Sequence, residues 1–532
     1  MSTIVPAGRD RELPVSAAQR RLWFLQQLLP ESAAYNVPSY LRLKGDLDCV
    51  ALAWSLTEIV RRHEVLRTIF PAHNGEPVQE IRPAEDLSLP LLDLSGLESW
   101  EREEIAGQLR QQEAHFAFDL ARGPLLRARL VRLSGKQHEL LLTIHHIVTD
   151  GWSEGILVRE LRAFYAAYYQ RDSAQMPGLQ IQYADYACWQ HQWLPGVVIQ
   201  RQLEYWKRQL SGVPALDLPT DHPRLQVAVH PQRTCALHFP SGLTARLRSL
   251  GQAEGVTLFM VLMAGFQWLL SCYSRQKDIA VGTVIANRNC KETENLIGFF
   301  VNTLVLRTPL DGIQTFKELL SRVRNLTLEA YVHQDVPFEK LVEELNPERD
   351  LGRTPLFQVL MVLQNAPIGR FELPGVEVEE LGIDLQEAKF ELTLKLVEGS
   401  DSVQGQLDYA SDLFDARFIE QMLRHYLTLL EAVADRSQMP LSEIQLLDSI
   451  EWRRVVVECN QSDVPVAQNE IFHKILEQHA QHNPHTVAAF HEGLALHYGE
   501  LNSRANRLSR YLYSLGVRPE TAVGVCLERS FE

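Results

Sequence analysis

The sequence predicts a mixed α/β protein of two lobes followed by a small α/β fragment. Three observations carry that expectation. Strand-like and helix-like stretches alternate over residues 15–176 and again over 177–448, a pattern of sheets covered by helices. The 532-residue length suggests three or four domain-sized units of about 150 residues each. From about residue 449 the texture changes to a polar linker, 449–466, and a short helix–strand–helix pattern over 467–532.

The elements follow in order. Residues 1–14 are polar and carry Pro6 and Pro14, which reads as a connector. Tyr40–Leu43 reads as a strand and Val50–Arg62 as an amphipathic helix; Leu125–Leu133 and Leu140–His146 are apolar runs of strand length. Leu157, Leu161, Phe164 and Tyr168 then recur at helical spacing, so a helix is expected over Ser153–Gln170, with Ser153 and Glu154 suited to its first turn. A Pro-, Asp- and His-rich bridge spans Pro214–Pro231. Beyond it lie a buried helix (Leu258–Ser271), a strand (Ile279–Ile285), a helix (Phe316–His333) and strands at Leu356–Leu363 and Glu391–Val397. After the linker Asn460–Pro465, a helix is expected over Ile471–His482 and a strand over Thr486–His491. A second helix carries Ala505, Leu508, Leu512 and Leu515 in register.

Composition narrows the function classes. The chain is 45% apolar and 22% charged, ordinary for a globular protein. A net charge of −15 without a dense Lys/Arg tract argues against a nucleic-acid platform. Seven cysteines (49, 188, 235, 272, 290, 459 and 526) without paired spacing fit a reduced, cytoplasmic protein. The N-terminus has no apolar signal core. The longest apolar stretch, Val256–Tyr273, is interrupted by Thr257, Gly265, Gln267 and Ser271, so a buried helix is expected there rather than a membrane span.

The stretch His145-His146-Ile147-Val148-Thr149-Asp150-Gly151-Trp152-Ser153 sits where the strand ending at His146 hands over to a helix. Side chains alternate along a strand, so one histidine faces a site and the other packs behind it unless the strand breaks between them. Adjacent histidines beside a strand are more often structural than catalytic. No H-x-x-x-H or paired cysteine accompanies them, so no metal site is expected.

Six further motifs change the weight of that stretch: 16–25, SAAQRRLWFL; 62–70, RHEVLRTIF; 183–189, YADYACW; 297–303, IGFFVNT; 333–339, HQDVPFE; and 349–358, RDLGRTPLFQ. Together, in this order across roughly residues 15–450, they resemble the condensation domains of non-ribosomal peptide synthetases. The tail, with Leu496-His497-Tyr498-Gly499-Glu500-Leu501, resembles the start of an adenylation domain, His497 replacing the usual hydroxyl residue. It stops at Glu532, before any phosphate-binding loop, so no ATP chemistry is expected of this segment.

The resemblance implies a pseudo-dimer of two chloramphenicol-acetyltransferase-like lobes in a V shape with a central tunnel. It implies amide-bond formation between a carrier-bound donor acyl or peptidyl thioester and the α-amine of a carrier-bound acceptor aminoacyl thioester. His146 would be the active-site residue, with Asp150 and Gly151 beside it. His145 and Arg288 would support the site, the latter paired with Asp150. Trp152, Ser153 and Asn302 would line the tunnel, while Trp23, Arg67, Trp189 and Phe338 pack or pair. A free α-amine titrates near 7.7–8.0, so about a tenth is already neutral near pH 7. Positioning the amine and accepting its proton late therefore rank above full prior deprotonation.

No cofactor is expected on the chain itself; phosphopantetheine arms of donor and acceptor carrier proteins would present the substrates. The adjoining adenylation domain is a further expected partner, nucleic acid and membrane are not, and the chain reads as a monomeric piece of a larger synthetase. The opening motif resembles domains that take an L-configured donor. A starter domain acylating the first residue with a fatty acyl group is the alternative within the class. A silent module recruiting carriers or tailoring enzymes is the alternative outside it, although such modules typically lose the double histidine.

Overall fold

The computed structural model describes residues 3–171, 176–194, 196–224, 230–346, 353–364, 372–382, 387–399, 402–461, 471–528 and 530–531. Arg349–Gly352 of the last motif, Ser462–Pro465 of the linker and 225–229 of the bridge lie outside them. The chain divides into two compact units, Met1–Asp448 and Ser449–Glu532.

The first unit holds two large sheets. One has five strands in the order Val376–Glu380, Asn36–Gly45, Gln137–His145, Leu126–Ser134, Leu91–Asp93. Gln137–His145 is central, antiparallel to both neighbours, and runs so that His145 stands opposite Asn36. The helices Cys49–Arg62 and Gly151–Gln170 pack on each other, Leu52, Leu56 and Ile59 from one and Ile156, Leu157 and Leu161 from the other lying in one core. The second sheet has seven strands, ordered Asn302–Pro309, Asp278–Ile285, Val359–Gln364, Leu392–Glu398, Val403–Ala410, His230–His238, Glu387–Ala388. Along Leu392–Glu398 the residues Leu392, Leu394 and Leu396 are buried, while Thr393, Lys395 and Val397 alternate to the other face. The buried face meets Leu258–Ser274, a helix with eleven buried residues, which is the apolar stretch of the sequence. Among the described residues no single helix is long and apolar enough to cross a membrane.

Two segments of the second half cross to the first sheet's side. Val376–Glu380 pairs with Asn36–Gly45 as an edge strand. The segment after Ile285 sends Leu296, Ile297 and Phe300 into the core of the first lobe. A division of the lobes at residue 176/177 therefore needs this correction: sequence halves and spatial lobes exchange two pieces. Gly298 permits the second crossing, since a Cβ there would lie 2.0 Å from the Tyr183 ring. The second unit contains the helix Phe472–His482, the antiparallel pair Val487–His491 and Leu494–His497, and the helix Tyr498–Ser514.

Candidate active site

The strand carrying the double histidine ends at His145, and His146–Val148 forms one 3₁₀ turn. The strand thus breaks between the two rings, and they still diverge. His145 is 2% exposed and packs edge-to-face on Phe118, centroids 5.9 Å apart. Its Nδ1 accepts the Ile147 N–H at 3.1 Å, which places its proton on Nε2, and that buried atom has no partner among the described residues. Burial, then the neighbouring His146, push its pKa down to about 3.

His146 is half-buried, with its ring 4.8 Å from Phe299. Its backbone N–H donates to the Tyr35 carbonyl at 2.8 Å. Its Nδ1 lies 2.7 Å from the Thr149 carbonyl, which only accepts, so the proton sits on Nδ1 and Nε2 is left as an open acceptor. Burial, then the Lys389 cation, hold the ring down to about 4, against the opposing pull of Thr149 and Asp150. The ring is neutral at physiological pH.

Asp150, not Ser153, caps the following helix, which begins at Gly151. The expected start at Ser153 fails because the Asp150 carboxylate reaches the N–H three residues on, at 2.8 Å. The same oxygen accepts the Ser153 hydroxyl at 2.7 Å and Arg288 Nη2 at 3.0 Å; the other accepts the Phe300 N–H at 3.0 Å. Asp150 and Arg288 side chains are 0% and 2% exposed. Arg288 also donates to the Thr293 and Leu296 carbonyls at 2.5 and 2.7 Å and lies 4.1 Å over the Phe300 ring. The carboxylate is engaged by the crossing segment and does not hydrogen-bond to the His146 ring.

The remaining candidates divide. Ser153 is fully buried; its hydroxyl also sits 3.0 Å from both the N–H and the carbonyl of Gly298, so it braces the crossing segment and lines no opening. Trp152 donates its indole N–H to the Glu294 carbonyl at 2.9 Å. Asn302 borders a cavity with Ser16, Ala18, Phe299 and Glu339. Its own amide is engaged, donating to Gln334 and Val336 and accepting from Thr303 and Phe338. Gly151 has no positive φ, so the freedom expected of it is not used; a Cβ there would meet the Gln364 amide at 3.5 Å. Among the described hydrogen bonds none takes its N–H, as befits the first residue of a helix. Trp23 donates to the Phe70 carbonyl, Arg67 to that of Arg82, Trp189 stacks on Trp193 and Phe338 packs against Phe357.

Several residues of the site were not singled out by the sequence. Phe299 lay inside a motif but had no chemistry to mark it. Tyr35, Gln364 and Lys389 lie outside the motifs. Glu154 was read only as a first-turn acid, yet burial and the nearby Asp150 and Glu380 push its carboxyl up to about 7.

The family model described as condensation domain matches residues 9–456. The chain belongs to the condensation-domain family. It is followed by a match to AMP-binding enzyme over residues 476–532. One of the linear gramicidin synthase proteins of Brevibacillus parabrevis is 44% identical over 532 residues, 99% of this chain and 10% of that protein. Malpinin synthetase of Mortierella alpina is 43% identical over 99% of this chain and 7% of its own length. The chain thus spans a tenth or less of these two relatives. Among solved structures, the X-domain from teicoplanin biosynthesis superposes with a TM-score of 0.77 at 29% identity, covering 84% of this chain and 100% of that one. A four-domain non-ribosomal peptide synthetase gives 0.79 at 21% identity over 95% of this chain and 39% of that one, a likeness of fold. The condensation domain described here is therefore an enzyme of the amide-bond-forming acyltransferase type, in a two-lobed α/β fold.

Proposed function

We propose that this condensation domain joins a donor acyl or peptidyl thioester to the α-amine of an acceptor aminoacyl thioester, each carried on a phosphopantetheine arm of a carrier protein. The observation that carries the reading is the Nδ1–H of His146 fixed on the Thr149 carbonyl, which leaves Nε2 as the acceptor for the amine. The nitrogen attacks the thioester carbonyl, the C–N bond forms, and the C–S bond breaks. The amine proton passes to Nε2 and from there to the departing thiolate. Gly151 N–H, unengaged at the helix start, faces the developing oxyanion. Asp150, Arg288 and Ser153 are positioning residues that hold this loop, and His145 anchors the turn through Ile147. Asn302 and Trp152 border the substrate path.

We also infer partners in the adjoining adenylation domain and the two carriers, and a cytoplasmic setting consistent with the seven scattered cysteines. An L-configured donor is the preferred substrate, on the strength of the opening motif; a fatty-acyl starter role is the alternative. One observation favours a second reading: the X-domain that resembles this chain has also been solved as a complex with OxyB. A recruitment module needs no open Nε2 beside a neutral ring, which favours the catalytic reading.

The test loads two carriers with defined L-aminoacyl groups and follows peptidyl product by mass spectrometry. Product from the wild type and its loss in His146→Ala are expected. Unchanged product in His146→Ala would overturn the assignment, and turnover with only a fatty-acyl donor would move the reading to a starter domain.

A further inference from the structure

The 62–70 motif supplies no group to the reaction, yet its second residue reaches the site. His63 closes the helix Cys49–Arg62 and is fully buried. Its Nδ1 accepts the backbone N–H of Ile297, in the crossing segment, at 3.3 Å. A ring nitrogen that accepts carries no proton, so the hydrogen sits on Nε2, which lies 2.9 Å from Glu160. The other Glu160 oxygen accepts from Arg62 Nε at 3.1 Å, so the buried carboxylate already has its counter-charge. The imidazole is left free to act as a neutral bridge between Glu160 and Ile297.

Glu160 stands on the helix Gly151–Gln170, the same helix that Asp150 caps and whose first turn holds Ser153. All three are buried polar residues, and their sequence spacing of three and then seven keeps them along one side of the helix. Together they receive N–H groups of the crossing segment in order. Asp150 takes that of Phe300 at 3.0 Å, Ser153 that of Gly298 at 3.0 Å, and Glu160 that of Ile297 through the His63 ring. Tyr183 adds a further hold, donating its hydroxyl to the Phe299 carbonyl at 2.6 Å. Among these groups, His63 is the one whose hydrogen-bonding sense is set by a tautomer. With its proton on Nδ1 the ring would face the Ile297 N–H donor to donor and leave a buried N–H unpaired.

We propose that His63 is a positioning residue for the condensation reaction: held by Glu160 as the Nε2–H tautomer, it seats the crossing segment at Ile297 and so sets Phe299 against the His146 ring. The link is short. Phe299 lies two residues beyond Ile297, and its ring centroid is 4.8 Å from that of His146. Gly298 between them has no room to shift toward the first lobe, because the Tyr183 ring fills the place of a Cβ there. A slack Ile297 would let the Phe299 ring swing off the imidazole and widen the space in which the amine is held. Lost positioning of that kind costs rate rather than carrier affinity.

This inference rests on the reading of His146 as the amine acceptor, so part of its test is independent of turnover. Hydrogen–deuterium exchange of the full chain is followed by mass spectrometry in peptides spanning 294–303, with the buried helix Leu258–Ser274 as reference. His63→Phe fills the space but accepts nothing, and should speed exchange at 294–303 alone. His63→Gln, whose amide reaches toward Glu160 and leaves Ile297 without an acceptor, carries the same expectation where His63→Phe does not fold. His63→Asn puts a carbonyl in the place of Nδ1 and should return exchange toward the wild-type rate. Condensation with loaded carriers should follow the same order. In His63→Phe and His63→Gln, kcat should fall about 10- to 100-fold with KM for both carriers unchanged, and His63→Asn should regain most of it. Imidazole ¹⁵N NMR should show His63 as the Nε2–H tautomer. An unchanged kcat in His63→Gln, a His63→Asn no better than His63→Gln, or an Nδ1–H ring at His63 would overturn the proposal. A wild-type chain that forms no product overturns the condensation reading instead, and the exchange order still decides whether His63 seats the segment.

Discussion

Removing the Asp150 carboxylate is the sharpest test of how this site is built. In Asp150→Ala the helix Gly151–Gln170 loses its cap, worth about 1 kcal/mol. The Arg288 guanidinium is left buried without a counter-charge, a defect of about 3–5 kcal/mol. The lower end applies, because two carbonyls and the Phe300 face still hold the cation. The expected destabilisation is about 4 kcal/mol. Arg288→Ala leaves the carboxylate with three donors, the Ser153 N–H and hydroxyl and the Phe300 N–H, so its effect is smaller, about 3 kcal/mol. The double variant removes both charges at once and should cost about 4 kcal/mol, leaving a coupling of roughly 3 kcal/mol.

The assay is urea denaturation of the four proteins, followed by tryptophan fluorescence, beside condensation rates of the same samples. If Asp150 braces the loop, Arg288→Ala reproduces the loss of activity, and activity tracks stability across the series. Asp150→Asn discriminates further: an amide NH₂ would face donors where the carboxylate accepts them, so this variant should also be destabilised. Full activity in Arg288→Ala together with a stable, inactive Asp150→Asn would refute the bracing role and return Asp150 to the reaction.

Gly298→Ala should destabilise by about 1–3 kcal/mol, since its Cβ would enter the Tyr183 ring, whereas Gly151→Ala should stay within about 0.5 kcal/mol; thermal melts separate the two. His145→Asn keeps an acceptor for the Ile147 N–H but removes a buried base held near pH 3. That base lends stability above its unfolded value of about 6.5 and withdraws it as pH falls, so the loss of urea midpoint between pH 6.5 and 4 should shrink in the variant. Glu154 has the opposite sign: a carboxyl raised to about 7 takes stability away as pH rises from about 4.5 to 7. Glu154→Gln should therefore raise the melting temperature at pH 8 and change it little at pH 4.5.

Much of the local architecture was legible because it depends on neighbours in sequence. The apolar run before His145, the Asp-Gly turn and the helical spacing of Leu157, Leu161 and Phe164 fix a strand, a turn and a helix with no distant information. The start of that helix was misplaced by two residues. Ser153 does lie in the first turn as expected, but Asp150 binds the Ser153 N–H and so begins the helix at Gly151. Long-range features were hidden. Val376–Glu380 alternates like any exposed strand, and nothing in it names Asn36–Gly45 as its partner. Arg288 stands 138 residues from Asp150 and was legible only through the family resemblance. Tyr35 has no motif, because its value lies in where the fold places its carbonyl against the His146 N–H.

That last contrast bears on how the chemistry is secured. His146 is carried by the first lobe, but two of the groups that define it come from the second half of the chain. Phe299 flanks its ring and Arg288 holds the helix cap beside it. Phe299 and Arg288 ride on a segment whose Leu296, Ile297 and Phe300 are buried in the first lobe's core, so they cannot leave without opening that core. The geometry of the histidine is thus fixed by burial, and burial is also the first cause that keeps its ring neutral.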